Sequence, residues 1–399
     1  MAQMGRREPV TGKGGQVPIH FSEQELSERR ARLNAALAAA QLEGALLFRQ
    51  ESLYYLTGYD TFGFCFFQCL ALGPADQLAL LTRAPDLRQA RHTSVIEDIR
   101  IWTDDAGASP AAQLRDLLDT LGWRGRRLGI ELDSYGLTAR NWDRLRQALT
   151  GFCQLSDISE TTSRLRMVKS PAEMLYVTRA AALADDALDQ AIDATAAGVN
   201  EGEILARMQA AVFRGGGDYP GNEFIIGSGA DALLCRHKSG REVLDVNDQL
   251  TLEFAGVYRH YHACLMRTLV IGECSSQQLD MHQACAEAMG ACLEVLQPGR
   301  MMGDVFDAHA RVMDAAGMAA HRLNACGYSL GATFTPTWMD YPMFFHDNPE
   351  PVVPGMVLFL HMILMNSEQE LAMTLGQSVR VTEHGPTPLS RHGLELIRR

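Results

Sequence analysis

The stretch TLEFAGVYRHYHACLMRTLVIG, residues 251–272, contains two apolar runs separated by the charged residues Arg259 and His260. Runs of Leu, Val, Phe and Tyr on either side of a short polar break predict a pair of strands, roughly 249–256 and 262–271. Glu253 stands inside the first run, between Leu252 and Phe254. A carboxylate in such a strand is costly to bury unless it is paired or functional, so Glu253 is the leading chemical candidate. The directions of His260 and His262 depend on register, because a slip of one residue exchanges the faces of a strand.

Helices flank this pair. In RMVKSPAEM, Ser170 can cap, Pro171 suits the first helical turn and Glu173 completes a capping box, predicting a helix that runs to about Ala196. Asn200 with Glu203 opens another, which ends at the glycines 215–217. The same order then recurs: a helix from Ser276 to about Leu296, a helix from Asp304 to Gly317, and strands over 355–364 and 371–382. Helix, helix and strand pair, twice over, predict a pseudo-duplicated domain whose sheet is covered by helices. Upstream, Ser22 with Glu25 forms a capping box, and short apolar runs at 45–50, 78–83 and 127–132 read as buried strands. The segment Tyr59–Phe67 reads first as a core strand. Its four phenylalanines around Gly63 offer a second reading, aromatic faces turned to a site. The fold class is therefore α/β, more narrowly α+β, with one domain over 1–165 and a second over 166–399.

Several segments together resemble the creatinase/methionine-aminopeptidase superfamily, the "pita-bread" fold, over essentially the whole chain. RMVKSPAEM is similar to that family's entry into its catalytic domain, and GVYRHYHACLMRTLVIG (256–272) to its central hairpin. PGMVLFLH (354–361) and SVRVTEHG (378–385) resemble its two closing strands. The resemblance implies a creatinase-like amino-terminal domain, a pita-bread catalytic domain and a homodimer. Metallopeptidases of the family hold metal with Asp, Asp, His, Glu and Glu. Carried over one at a time, these positions fall on Glu253, Cys264, Tyr328, His361 and either Gly376 or Gln377. Two hard divalent ions need several bridging carboxylates, and one remains. A lone zinc on Glu253, Cys264 and His361 is the residual metal reading. The expectation is a site with no metal and no cofactor.

The replacements are themselves reactive. Glu253, His361 and Tyr328, with His237 in CRHKSGR, form a carboxylate, two imidazoles and a phenol, a set suited to nucleophilic and acid–base chemistry. Taken singly, a strand His or a buried Cys is more often plain packing. The coincidence of all of them on one template site weighs against that. Within the family the chain resembles the metal-free branch, ectoine hydrolase more than creatinase. That resemblance implies hydrolysis of a C–N bond in a small cyclic amidine, ectoine or a related compound. Expected catalytic residues are Glu253, His237, His361 and Tyr328. Cys264, His262, Phe62, Phe64 and Trp338 are expected to contact substrate, the phenylalanines from across a dimer interface. Arg241, Arg267 and Arg380 are candidates for the substrate's carboxylate. The rival readings are hydrolysis of creatine or another guanidine, a Xaa-Pro metallopeptidase, and a peptidase-shaped binding module without catalysis.

Composition sets the outer limits. At 399 residues with 47% hydrophobic content the chain can build two cores. A net charge of -12 argues against a nucleic-acid partner, which requires clustered Lys and Arg. No apolar run reaches the ~20 residues of a membrane span, and residues 1–20 read as a polar arm rather than a secretory signal. The nine Cys include no CxxC pair and read as reduced thiols, so the expected location is the cytoplasm.

Overall fold

The computed structural model describes residues 19–399, so the polar arm expected over 1–20 lies, but for its last two residues, outside the described residues. One compact unit runs up to Thr162 and a second from Ser163 to Arg399. The first is built on β1 (Ala45–Leu47), β2 (Cys69–Leu72), β3 (Leu78–Arg83), β4 (Asp98–Trp102), β5 (Arg127–Ile130) and β6 (Gln154–Asp157). They form one mixed sheet in the order β4-β3-β2-β1-β5-β6. Leu46, Phe48, Leu114, Trp123, Leu128 and Leu145 belong to its core. Ser22 caps the helix Glu23–Ala39 by accepting from the Glu25 N–H at 3.2 Å. The Glu25 carboxylate accepts from Arg29 at 2.6 Å.

The segment 59–67 is not a core strand. Gly63–Cys65 forms a 3-10 turn, with Phe64 and Phe67 buried and Phe62 84% exposed. The turn is fixed locally: the Gly63 N–H donates to Thr61 Oγ1 at 2.8 Å, and a Cβ on Gly63 would meet Asp86 at 2.3 Å. Aromatic residues favour strands, but here the turn chemistry overrides that preference.

The second unit carries β7 (Ile225–Ser228), β8 (Asp248–Tyr258), β9 (Tyr261–Ile271), β10 (Gly327–Ser329), β11 (Asp340–Met343), β12 (Val357–Asn366), β13 (Leu371–Thr382), β14 (Gly385–Pro388) and β15 (Ile397–Arg398). Seven of these run β11-β10-β12-β13-β9-β8-β7, with β14 paired to β13 and β15 to β9. The expected repeat is present. Helices Pro171–Ala194 and Glu201–Arg214 precede the β8–β9 pair, and helices Ser276–Val295 and Met302–Ala315 precede β12–β13. Full capping boxes open the first and third of these helices, at Ser170/Glu173 and Ser275/Gln278. The β8–β9 turn places Arg259 and His260 at φ 50° and 65°, the left-handed geometry that matches strand twist in a two-residue hairpin.

One face of the sheet is sealed by helices. Leu358, Leu360, Met362 and Leu364 of β12 pack with Met281, Cys285 and Met289 of the helix above them. On β8, a Cβ at Gly256 would meet the Ala180 carbonyl at 2.0 Å, so only glycine lets that helix lie directly on the strand. The residues of alternate register therefore face the other way, and they form the site.

Candidate active site

Register assembles the pocket. Glu253 of β8 is opposite Met266 of β9, Met266 opposite Gly376 of β13, and Gly376 opposite His361 of β12. Residues directly opposed across antiparallel strands share a face, so Glu253 and His361 lie in one row on the same side. The adjacent row carries Cys264, opposite Ala255, and Tyr328, opposite Phe359. Tyr328 donates its hydroxyl to Glu253 Oε1 at 3.2 Å and accepts from the Trp338 indole N–H at 2.8 Å. The His361 ring sits 5.6 Å from the Tyr328 ring and 5.7 Å from that of Phe359. Glu253, His361, Tyr328, Trp338 and Cys264 are all buried.

Burial sets the protonation of this group. Loss of solvent raises Glu253 to about 7, with the Tyr328 hydrogen bond and the charge of Arg236 pulling the other way. Burial, aided by His309, lowers His361 to about 4. Tyr328 and Cys264 are pushed well above their usual ranges by burial, with the charge of Glu253 adding to the effect. At neutral pH the pocket thus holds a carboxyl poised between its two forms, a neutral imidazole, a phenol and a thiol. Nδ1 of His361 is buried without a hydrogen-bond partner among the described residues. A buried polar atom of this kind calls for a ligand or a water.

The other expected residues fall in different places. His262 is fully buried, and both of its nitrogens are engaged: Nε2 accepts from the Gly221 N–H at 2.8 Å and Nδ1 faces Thr333 Oγ1 at 3.1 Å. The first bond fixes the tautomer with its proton on Nδ1, so His262 braces the wall of the site rather than offering a free nitrogen to substrate. His237 is half-exposed and faces Asp231 at 3.8 Å. It lines an outer cleft of about 730 Å³ rather than joining the Glu253, Tyr328 and His361 group. Phe62 and Phe64 lie in the first unit, the former exposed and the latter buried. Arg267 is buried and donates to the carbonyls of Met266 and Gly376, a structural role that leaves no fork for a substrate. Two contributors escaped the sequence reading. Phe359 was accessible to it, since alternation places a residue two before His361 on the same face. Arg236 was not, because its electrostatic reach to Glu253 is set by the tertiary fold.

The residues at the family's metal positions do not fit a pair of divalent ions. A Cβ at Gly376 would meet Phe359 Cζ at 2.7 Å and Met266 Cβ at 2.9 Å, so the space of a closing carboxylate is filled by an aromatic ring. Gln377 is opposite Leu360 and Leu265, on the other face of the sheet. Among the described residues no group of three or more His, Cys, Asp and Glu side chains is arranged to hold a metal ion. One carboxyl offsets little of the charge of two divalent ions.

Fold and sequence together define the class: the chain belongs to metallopeptidase family M24, which it matches over residues 176–383, behind a creatinase/prolidase N-terminal domain over residues 29–168. It is a hydrolase of that family with the pita-bread fold. It is similar to ectoine hydrolase of Halomonas elongata, 24% identical over 399 residues that cover 96% of this chain and 99% of that protein. It is likewise 23% identical to creatinase of a Bacillus species, over 100% of this chain and 96% of that one. Prolidase from Thermococcus sibiricus superposes with a TM-score of 0.85 at 18% identity, covering 95% of this chain and all of the other. Among the described residues no helix is long and apolar enough to cross a membrane.

A stability prediction follows from Glu253. Its folded value of about 7 lies above the ordinary 4.5, so the folded state holds the proton more tightly. The group therefore costs nothing below about pH 4.5, increasingly more between 4.5 and 7, and its full penalty above 7, about 3 kcal/mol at 1.36 kcal/mol per unit. Glu253→Gln is expected to raise the melting temperature at pH 8 and to lose that advantage near pH 4.5. Equal shifts at the two pH values in thermal scans would contradict the buried-charge reading.

Proposed function

We propose that this protein hydrolyses a C–N bond in a small cyclic amidine without a metal ion, with ring opening of ectoine to an N-acetylated 2,4-diaminobutyrate as the preferred reaction. The observation that carries the reading is the Trp338–Tyr328–Glu253 hydrogen-bonded chain, with His361 in the row of Glu253; the family resemblance puts Tyr328, Glu253 and His361 at ligand positions of the metallopeptidases. The likeness to the Halomonas ectoine hydrolase and to creatinase points the same way.

The amidinium carbon lies between two nitrogens and is a cationic electrophile. A cation entering the pocket favours the ionised form of Glu253, so binding itself prepares the carboxylate. Glu253 then takes a proton from a water that adds to that carbon. The ring C–N bond breaks as the departing nitrogen gains a proton from the carboxyl. Water supplies both protons, and the products are an amide and an ammonium group, so the balance needs no other reactant. His361 is neutral, with Nδ1 open, and suits holding the attacking water or relaying its second proton. Tyr328 keeps its proton and serves as a donor.

A homodimer, and a cytoplasmic setting consistent with nine free thiols, form part of the same reading. The test is a substrate panel followed by mass spectrometry: ectoine, creatine and a Xaa-Pro dipeptide. Opening of ectoine as the fastest reaction is expected. Turnover of the dipeptide alone, and only with added metal, would return the protein to the metallopeptidases.

A further inference from the structure

The outer cleft of about 730 Å³ includes Phe224 and Ile225, and Ile225 is the residue opposite Glu253 on β7. Asn222 lines it too, and its Oδ1 accepts at 3.2 Å from the backbone N–H of Trp338, whose indole donates to the tyrosine that holds Glu253. The cleft wall is thus linked to Glu253 through Ile225, opposite it on β7, and through the Asn222–Trp338–Tyr328 hydrogen bonds. Along it the chain presents Arg236, His237 and Lys238 in succession, with Glu223 as the carboxylate of the same lining. His237 is turned to Asp231. Arg236 is exposed, and no ion pair occupies it among the described residues.

We propose that Arg236 binds the carboxylate of a zwitterionic substrate and so orients the cationic ring toward Glu253. This rests on the proposed function and goes beyond it, by naming the residue that selects the substrate's anionic end. A substrate that carries a cation and a carboxylate needs a protein anion and a protein cation facing one cavity. Three other cations near the sheet are already engaged: Arg267 with backbone carbonyls, Arg166 with Asp340 at 2.8 Å, and Lys169 with the carbonyls of Arg166 and Met167. Lys238 lines the same cleft, but its ammonium is a point charge without the fork that pairs with both carboxylate oxygens. Arg241 and Arg380, plausible from sequence, are not in the lining of this cleft. Arg236 has a free guanidinium, whose planar fork matches a carboxylate with two parallel hydrogen bonds. Its charge already reaches Glu253, holding the carboxyl lower than burial alone would leave it.

The test compares wild type, Arg236→Gln and Arg236→Lys on ectoine and on the same methylated ring lacking the carboxylate. For Arg236→Gln the expected result is a KM for ectoine raised about 10- to 100-fold with a much smaller change in kcat. The carboxylate-free ring should show nearly the same KM in wild type and variant, and Arg236→Lys should recover part of the loss. A variant that loses equally on both rings acts through Glu253 and overturns the assignment, as does one that loses on neither. If the wild type opens neither ring, the proposed function itself fails, and the role of Arg236 falls with it. If it opens both while Arg236→Gln does not discriminate, only the inference fails.

Discussion

Replacing Glu253 by Gln is expected to lower kcat for amidine opening by at least about 10³-fold while leaving substrate binding measurable. Gln keeps the shape and can still accept the Tyr328 hydrogen bond at the position now held by Oε1. It can neither attack the ring carbon nor take a proton from water, and general-base or nucleophilic contributions are commonly worth about 10²- to 10⁴-fold or more. Two features make the effect large here. The pocket contains no second carboxylate in the same row, because Met266 and Gly376 separate Glu253 from His361. His361, held down near 4 by burial, is a weak base and substitutes poorly. Single-turnover measurement by mass spectrometry checks this. A variant retaining a tenth of wild-type activity would remove Glu253 from the centre of the reaction.

Tyr328→Phe should show the next largest effect, about 10- to 10³-fold in kcat/KM, typical of losing one aligned donor in a dry site. It also carries a pH signature. The Tyr328 hydrogen bond lowers Glu253 from where burial would place it, so its removal raises the Glu253 value above about 7. If the ionised carboxylate is the active form, activity falls as pH drops through that value. The acidic limb of kcat/KM should therefore lie near pH 7 in wild type and move to higher pH in the variant. The substitution also strips the Trp338 indole N–H of its acceptor, and a buried unpaired donor costs about 1–3 kcal/mol of stability. A pH–rate profile that is lowered but not displaced would show Tyr328 acting on the substrate alone rather than through Glu253.

The helices and the two long strand pairs were legible in the sequence because capping residues and apolar runs are local signals. Ser170 with Glu173 behaves as a capping box from sequence through to structure. Glu253 stood out for the same reason, a charge inside an apolar run. Its relation to His361 was not local: it requires the register of four strands, and no pattern within one strand encodes that. Short strands such as β10 and β11 pair only through their neighbours, and β10 carries Tyr328 at a register shift. The phenylalanines of 62–67 misled because strand preference and turn formation competed, and Gly63 decided for the turn. His262 could be assigned to a face only once the Arg259–His260 turn was fixed, and its bonds to Gly221 and Thr333 come from distant segments. The filling of the Gly376 space by Phe359 is likewise a tertiary fact, though the missing carboxylate was visible in the sequence itself.

The central claim is hydrolysis run by Glu253 without a metal. The most direct measurement is ectoine turnover by protein stripped with a strong chelator, with residual metal quantified by mass spectrometry in the same sample. The account predicts undiminished ring opening at substoichiometric metal, no stimulation by added zinc, manganese or cobalt, and loss of that activity in Glu253→Gln. Turnover that disappears on stripping and returns in proportion to added metal would contradict it.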